Sequence, residues 1–286
     1  MPEPLTLTHS PCPNDTFVFH AWTEGLLPDA PAVRLTFADI GVTNGQARRG
    51  ELDILKVSYG VLPHILDDYA LLPCGGALGH GCGPLLLAAE PTEPAHLAGA
   101  RVAVPSTTST AYLLFRLWAA DAVPGGVGEI VVLPFHEIMP AVRDGLVDAG
   151  LVIHEARFTY GRYGLHCAAD MGEEWEKRTG LPIPLGAIVA RRSLGEPVLR
   201  SLADATRASL HAARRDPDAS RAYVLRHAQE MEPDVVDQHI DLYVNEFTAD
   251  LGETGLHAVH ALLDRSALLG LLPRLPDGAL DTTRAL

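Results

Sequence analysis

Short apolar runs recur along the first two thirds of the chain, with longer amphipathic segments between them, and this alternation restricts the possible folds more than any other feature. The runs Leu5–Thr8, Val33–Phe37, Leu52–Leu55, Leu85–Ala89, Arg101–Val104, Ile130–Leu133 and Gly150–Ile153 have the length and composition of strands. Segments such as Asp15–Gly25, Tyr112–Asp121 and Glu137–Asp144 carry apolar residues at helical spacing. Strand, helix and strand in repetition predict parallel sheets with helices on both faces, an α/β fold. At 286 residues the chain exceeds the ~100–200 residues usual for one domain, so two domains or one large one are expected.

Two proline-bearing stretches mark expected crossings between units. One is Glu90–Ala100, with its Glu-Pro-Thr-Glu-Pro sequence; the other is Leu181–Ala190, where Pro182 and Pro184 precede the apolar run Leu185–Ala190. With crossings at both, residues 93–187 form an inserted α/β unit, and residues 1–92 join residues 188–286 in a discontinuous one. Beyond Arg191 the pattern turns helical, at Glu196–Arg215, Asp218–Gln229, Asp234–Tyr243 and Leu256–Leu269. This tail is expected to pack on the first unit; a dimerisation surface is the alternative.

Composition excludes several classes of function. Hydrophobic residues make up 47% of the chain and charged residues 20%, as in soluble globular enzymes and unlike disordered or fibrous proteins. A formal charge of −14 argues against a nucleic-acid partner, because phosphate binding needs a basic face. Met1–Ser10 hold no basic region followed by an apolar stretch of signal length, and no run nears the ~18 apolar residues of a membrane span. A cytoplasmic location is therefore expected, and Cys12, Cys74, Cys82 and Cys167 suit reducing conditions. Cys74, His80 and Cys82 lie among glycines without paired C-x2-C spacing, so they read as a glycine-rich turn rather than a zinc site. With no glycine-rich phosphate fingerprint, neither a nucleotide cofactor nor a metal is expected.

Four polar clusters follow four of the apolar runs, where open α/β sheets bind ligands. After Leu5–Thr8 comes His9-Ser-Pro-Cys-Pro-Asn-Asp15-Thr-Phe17, in which Asn14 or Asp15 can cap a helix or face a ligand. Cys12, set between prolines, reads as structural, with a nucleophile as the sharper alternative. The second cluster is Lys56-Val57-Ser58-Tyr59. Lys56 and Lys177 are the chain's only lysines, so a lysine at a strand end suggests a compact cation for a carboxylate or enolate oxygen, with a solvated lysine as the alternative. The third, Ser106-Thr-Thr-Ser109-Thr110, sets hydroxyls and free N–H groups at a helix start, an anion cradle or a capping run. The fourth, His154-Glu-Ala-Arg157, closes the run Gly150–Ile153, and offers a base or a half-buried strand cap.

Several of these segments together carry a resemblance. Ser10–Phe17, Lys56–Tyr59, Gly75–Gly79, Ser109–Tyr112, Ile153–Tyr160, Arg178–Ala187 and Tyr243–Phe247 are similar to the 1,4-dihydroxy-6-naphthoate synthase family of the futalosine route to menaquinone. The resemblance spans nearly the whole chain and implies a fold like the type 2 periplasmic binding proteins, two α/β lobes around a ligand cleft. It also implies a cofactor-independent lyase that converts cyclic dehypoxanthinyl futalosine, a small-molecule carboxylate, and releases a three-carbon fragment. The family's base maps onto His154, and its ligand contacts onto Lys56, Val57, Ser58, Ser109 and Thr110; Asn14, Asp15 and Arg157 join them as candidates. An imidazole free in water titrates near ~6.5, which suits a general base at neutral pH. A chorismate dehydratase-like paralogue and a non-catalytic solute-binding protein are the rival readings.

Overall fold

The computed structural model describes residues 3–228, 232–281, 283 and 286. In chain order it forms β1 (Leu5–His9), α1 (Pro13–Thr23), β2 (Val33–Phe37), α2 (Ile40–Arg48), β3 (Ile54–Ser58), β4 (Tyr69–Leu71), β5 (Ala77–Gly79) and β6 (Leu85–Ala88). Next come β7 (Val102–Val104), α3 (Thr110–Ala122), β8 (Ile130–Val132), α4 (Phe135–Arg143), β9 (Ala149–Val152), α5 (Ala156–Thr159), β10 (His166–Asp170) and α6 (Met171–Thr179). The long strand β11 (Ile183–Arg191) precedes α7 (Glu196–Arg215), α8 (Pro217–His227), α9 (Pro233–Tyr243), α10 (Glu246–Ala249) and α11 (Gly252–Leu268). Gln229, the expected end of the second tail helix, lies outside the described residues.

The strands build two sheets. The first has the order β2-β1-β3-β11-β4 with β5 also on β11, and the second β10-β6-β9-β7-β8. The expectation of parallel sheets is corrected by this pairing. β1 is parallel to β2 and β3, but β11 runs antiparallel to β3, β4 and β5. In the second sheet β6 is antiparallel to both β9 and β10, while β7 is parallel to β8 and β9. The cause is topological: a strand returning from the second sheet enters the first from the side facing its partner, so it runs against β3. Apolar periodicity carries no information about strand direction.

The crossings also differ from their expected places. Since β5 lies in the first sheet and β6 in the second, the chain passes between them at residues 80–84. Glu-Pro-Thr-Glu-Pro follows β6 and connects two strands of the second sheet. The return runs from β10 through α6 to β11, at residues 171–182, and the apolar run Leu185–Ala190 is the interior of β11. The boundaries at 92/93 and 187/188 are therefore displaced from the sheets, leaving β6 and half of β11 on the wrong side. The two crossings touch: a Cβ on Gly83 would lie 2.1 Å from the backbone nitrogen of Gly172. Only glycine lets the backbones approach so closely.

The tail helices α7, α8 and α9 pack around α1, where Phe17, Phe19 and Trp22 join Leu199, Leu202, Leu210, Val224 and Val236 in one core. Centrally in the second sheet, β9 is buried along its whole length. Its alternate residues face opposite layers. Leu151 packs into the core that holds Leu114 and Phe115 of α3, while Val152 joins Ile138 and Val142 of α4. A Cβ at Gly150 would come within 2.6 Å of Ile138, so this strand lies directly on α4.

Candidate active site

The segments after β1 and β9, the C-terminal half of β3 and the N-terminus of α3 converge on one cavity between the sheets. Its walls include Ser10, Asn14, Asp15, Lys56, Ser58, Ser109, Thr110 and His154. The arrangement begins with a buried ion pair. Lys56 extends from β3 to the carboxylate of Asp15 in the first turn of α1. The same carboxylate accepts from Ser10 Oγ at 2.7 Å and Asn14 Nδ2 at 2.9 Å. Burial alone would raise the Asp15 pKa, but the Lys56 charge, the neighbouring His9 and the hydrogen bonds from Lys56 and Ser10 outweigh it, and Asp15 is held below the usual carboxylate range. Gly186 on β11 makes the space, since a Cβ there would sit 2.9 Å from Lys56 Cε.

Because Asn14 directs its amide nitrogen at Asp15, its Oδ1 faces His239 Nε2 at 3.0 Å and accepts from it. That bond assigns the proton of neutral His239 to Nε2 and leaves Nδ1 buried without a partner among the described residues. Burial, assisted by the neighbouring His154, pushes the His239 pKa down to about 3. Ser58 Oγ accepts from Asn44 Nδ2 at 3.0 Å, and Asn44 Oδ1 accepts from the Ser58 backbone N–H at 2.8 Å. The Ser58 hydroxyl proton remains available to a ligand.

Ser109 and Thr110 are placed at the cavity, but their hydroxyls are already engaged. Ser109 caps α3 by accepting from the Tyr112 N–H, and donates to Ser106 O. Thr110 Oγ1 donates to Leu185 O at 2.7 Å and accepts from the Gly60 N–H. What this corner offers an anion is the backbone N–H groups of the first helical turn, which have no acceptor within the helix.

His154 has a backbone φ of +55°, the one non-glycine residue with positive φ among those described. This left-handed step turns the chain sharply from β9 towards α5. The imidazole packs edge-on to Phe135 and 6.5 Å from the His239 ring. Its Nδ1 lies 3.4 Å from Cys12 Sγ, so Nε2 is the nitrogen left for the cavity. Burial and the charges of Glu155 and Asp15 push the Cys12 thiol well up, so it stays protonated and is unsuited to be a thiolate nucleophile.

Two expected contacts fall elsewhere. Val57 points into the core, and its backbone pairs with Ala187. Arg157 does not line the cavity; its guanidinium donates to Gly83 O at 2.9 Å and Asp170 Oδ2 at 2.6 Å, joining the His154 segment to the first crossing and to the end of β10, where the second begins. Nor do Cys74, His80 and Cys82 gather as ligands. Cys74 meets Ala203 O, His80 meets Glu176, and Cys82 lines the cavity.

Sequence reasoning missed His239. It sits on α9 with buried Val235, Val236 and Tyr243, and a histidine on an apolar helix face usually reads as core. The usable signal was the spacing of His239 and Tyr243, four residues apart on one face and both lining the cavity.

A cavity lined by an ion pair, two histidines and a helix start, set between two mixed sheets, is the arrangement of a two-lobed α/β protein with a ligand cleft. Solved structures agree on the fold: the periplasmic aliphatic sulphonate binding protein SsuA from Escherichia coli superposes with a TM-score of 0.68 at 14% identity, over 99% of this chain and 92% of that one. Protein AF1704 from Archaeoglobus fulgidus superposes with a TM-score of 0.87 at 32% identity, covering 94% and 98%. The profile of the menaquinone-biosynthesis family matches residues 5–267. A 1,4-dihydroxy-6-naphthoate synthase from Streptomyces coelicolor is 71% identical over 278 residues, 97% of this chain and 98% of the relative. The enzyme of that name from Thermus thermophilus is 44% identical over 94% of this chain and 96% of its own length. The chain belongs to this menaquinone-biosynthesis family, and its fold is that of the periplasmic binding proteins.

Proposed function

We propose that this chain is a 1,4-dihydroxy-6-naphthoate synthase that acts on cyclic dehypoxanthinyl futalosine without a cofactor, and that His154 is its base. The observation that carries the reading is an imidazole at the end of β9 with one nitrogen on Cys12 and the other available to a cavity lined by Lys56, Ser58 and the start of α3. His154 Nε2 takes a proton from a carbon next to a carbonyl. The electron pair moves onto the carbonyl oxygen, then returns to drive elimination and carbon–carbon cleavage, so that a three-carbon fragment leaves and the ring becomes aromatic. Aromatisation makes the sequence downhill.

Each neighbour has a part in this scheme. The ammonium of Lys56 and the free proton of Ser58 stabilise the developing oxyanion, and the first turn of α3 holds the substrate carboxylate. Neutral His239 places no second cation beside the imidazolium that forms on His154. Incubating the purified chain separately with cyclic dehypoxanthinyl futalosine and with chorismate tests the reading. The naphthoate should appear from the first alone. Dehydration of chorismate would replace the proposal with the paralogue, and binding without turnover of either would replace it with a solute-binding protein.

A further inference from the structure

Beside the His154 ring lie two groups that take no part in the proposed proton transfer and are not among the cavity's lining residues. Cys12 Sγ, a His154 ring nitrogen and a Glu155 carboxylate oxygen lie within 4.8 Å of one another, a grouping unique among the described residues. Cys12 and Glu155 are each only 5% exposed. Among the described residues, Glu155 Oε1 has no hydrogen-bond partner. A buried, unpartnered carboxylate oxygen is costly, and a structure retains one where something pairs with it.

We propose that Cys12, His154 and Glu155 form a binding site for a soft divalent transition metal of the zinc class, and that the metal switches the enzyme off. The donor set suits such an ion: one thiolate, one imidazole and one carboxylate, with the fourth tetrahedral position open. A tetrahedral ion with metal–sulfur and metal–nitrogen bonds of about 2.3 and 2.0 Å sets those two atoms roughly 3.5 Å apart. The Sγ–Nδ1 separation is 3.4 Å. On binding, the Cys12 proton leaves to solvent and its sulfur bonds the metal.

Inhibition follows from imidazole chemistry and rests on His154 acting as the base. A neutral imidazole has one lone pair. Coordination through Nδ1 fixes the remaining proton on Nε2, and the nitrogen facing the cavity can no longer accept one. The ion therefore silences the base without blocking the substrate pocket.

Anaerobic titration of the reduced, full-length chain with Co²⁺ tests the site by a readout other than activity. A thiolate-to-cobalt charge-transfer band should grow to one equivalent, with visible bands of tetrahedral intensity. Cys12→Ser should abolish the charge-transfer band. Glu155→Gln, which preserves shape and removes the anionic ligand, should weaken binding by at least about tenfold, since loss of a group merely supporting a ligand already costs 10–100-fold. No such band in the parent chain, or a band surviving in Cys12→Ser, would overturn the site. Zn²⁺ should then inhibit turnover reversibly, with activity restored by a chelator. A Cys12-dependent band without inhibition supports the metal site and counts against His154 as the base, so the two readings fail separately.

Discussion

His154 and His136 both follow short apolar strands of the second sheet, yet the fold treats them in opposite ways. β9, which leads to His154, is a central strand buried throughout, and it ends at the cavity. β8, which precedes His136, is the edge strand of the same sheet, and its residues are only partly covered. The His136 side chain is 81% exposed and sits 3.8 Å from Glu137. A polar residue after an apolar run is thus an incomplete signal. Chemistry gathers where the strand occupies the middle of a sheet and another sheet faces its end.

The largest effect should come from removing the central histidine. His154→Ala should lower kcat by about 10²–10⁴, the scale of losing a general base, whereas His136→Ala should remain within about twofold. Steady-state kinetics on both variants check this, and the reverse ranking would break the comparison.

The two lysines repeat the contrast. Lys56 is buried against Asp15, while Lys177 lies exposed beside Glu173 and Glu174. Lys56→Met strands a buried carboxylate and should cost about 3–5 kcal/mol of stability as well as turnover. Lys177→Met should change stability by less than about 0.5 kcal/mol. Equal denaturation midpoints would remove the distinction.

Arg157 lies three residues beyond His154 but outside the cavity. Arg157→Met should therefore reduce stability by about 1.5–3 kcal/mol, the range for charge-assisted hydrogen bonds, with KM nearly unchanged. A steep rise in KM with stability intact would return the guanidinium to the substrate.

Per pH unit, the smallest effect is the one on acid stability. His239 takes up a proton near pH 3 in the folded chain, against ~6.5 when unfolded. Between these values the unfolded state holds the extra proton, so stability falls as pH drops, by about 1.4 kcal/mol per pH unit. His239→Gln should flatten urea-midpoint profiles from pH 6.5 downwards by that amount, and exposed His136→Gln should not. Superimposable profiles for all three proteins would show that the His239 ring does not control acid stability.

Much of this architecture was legible in the sequence wherever the determinant was local. Val33–Phe37 and Glu196–Arg215 fall where periodicity sets them, because alternation and a 3.6-residue repeat are written in neighbouring side chains. Lys56, Ser58, Asn14, Asp15 and His154 were readable as polar ends of apolar runs, and they do share one cavity. What escaped depends on distant pairing. The direction of β11 is set by strands more than 100 residues earlier, and His239 reaches Asn14 across 225 residues of sequence. Arg157 was misplaced for the same reason: its partners Gly83 and Asp170 become neighbours only once both crossings are in place.

The backbone torsion of +55° at His154 sorts substitutions before any chemistry is asked of them. Glycine and asparagine occupy this conformation readily, while β-branched side chains strain it. A saturation library at position 154 should thus lose valine, isoleucine and threonine to poor folding, and retain glycine and asparagine as well-folded proteins without a base. A lineage that gave up the reaction but kept the binding cleft would pass most easily through asparagine or glycine here. In such a descendant, one codon would separate a catalyst from a receptor.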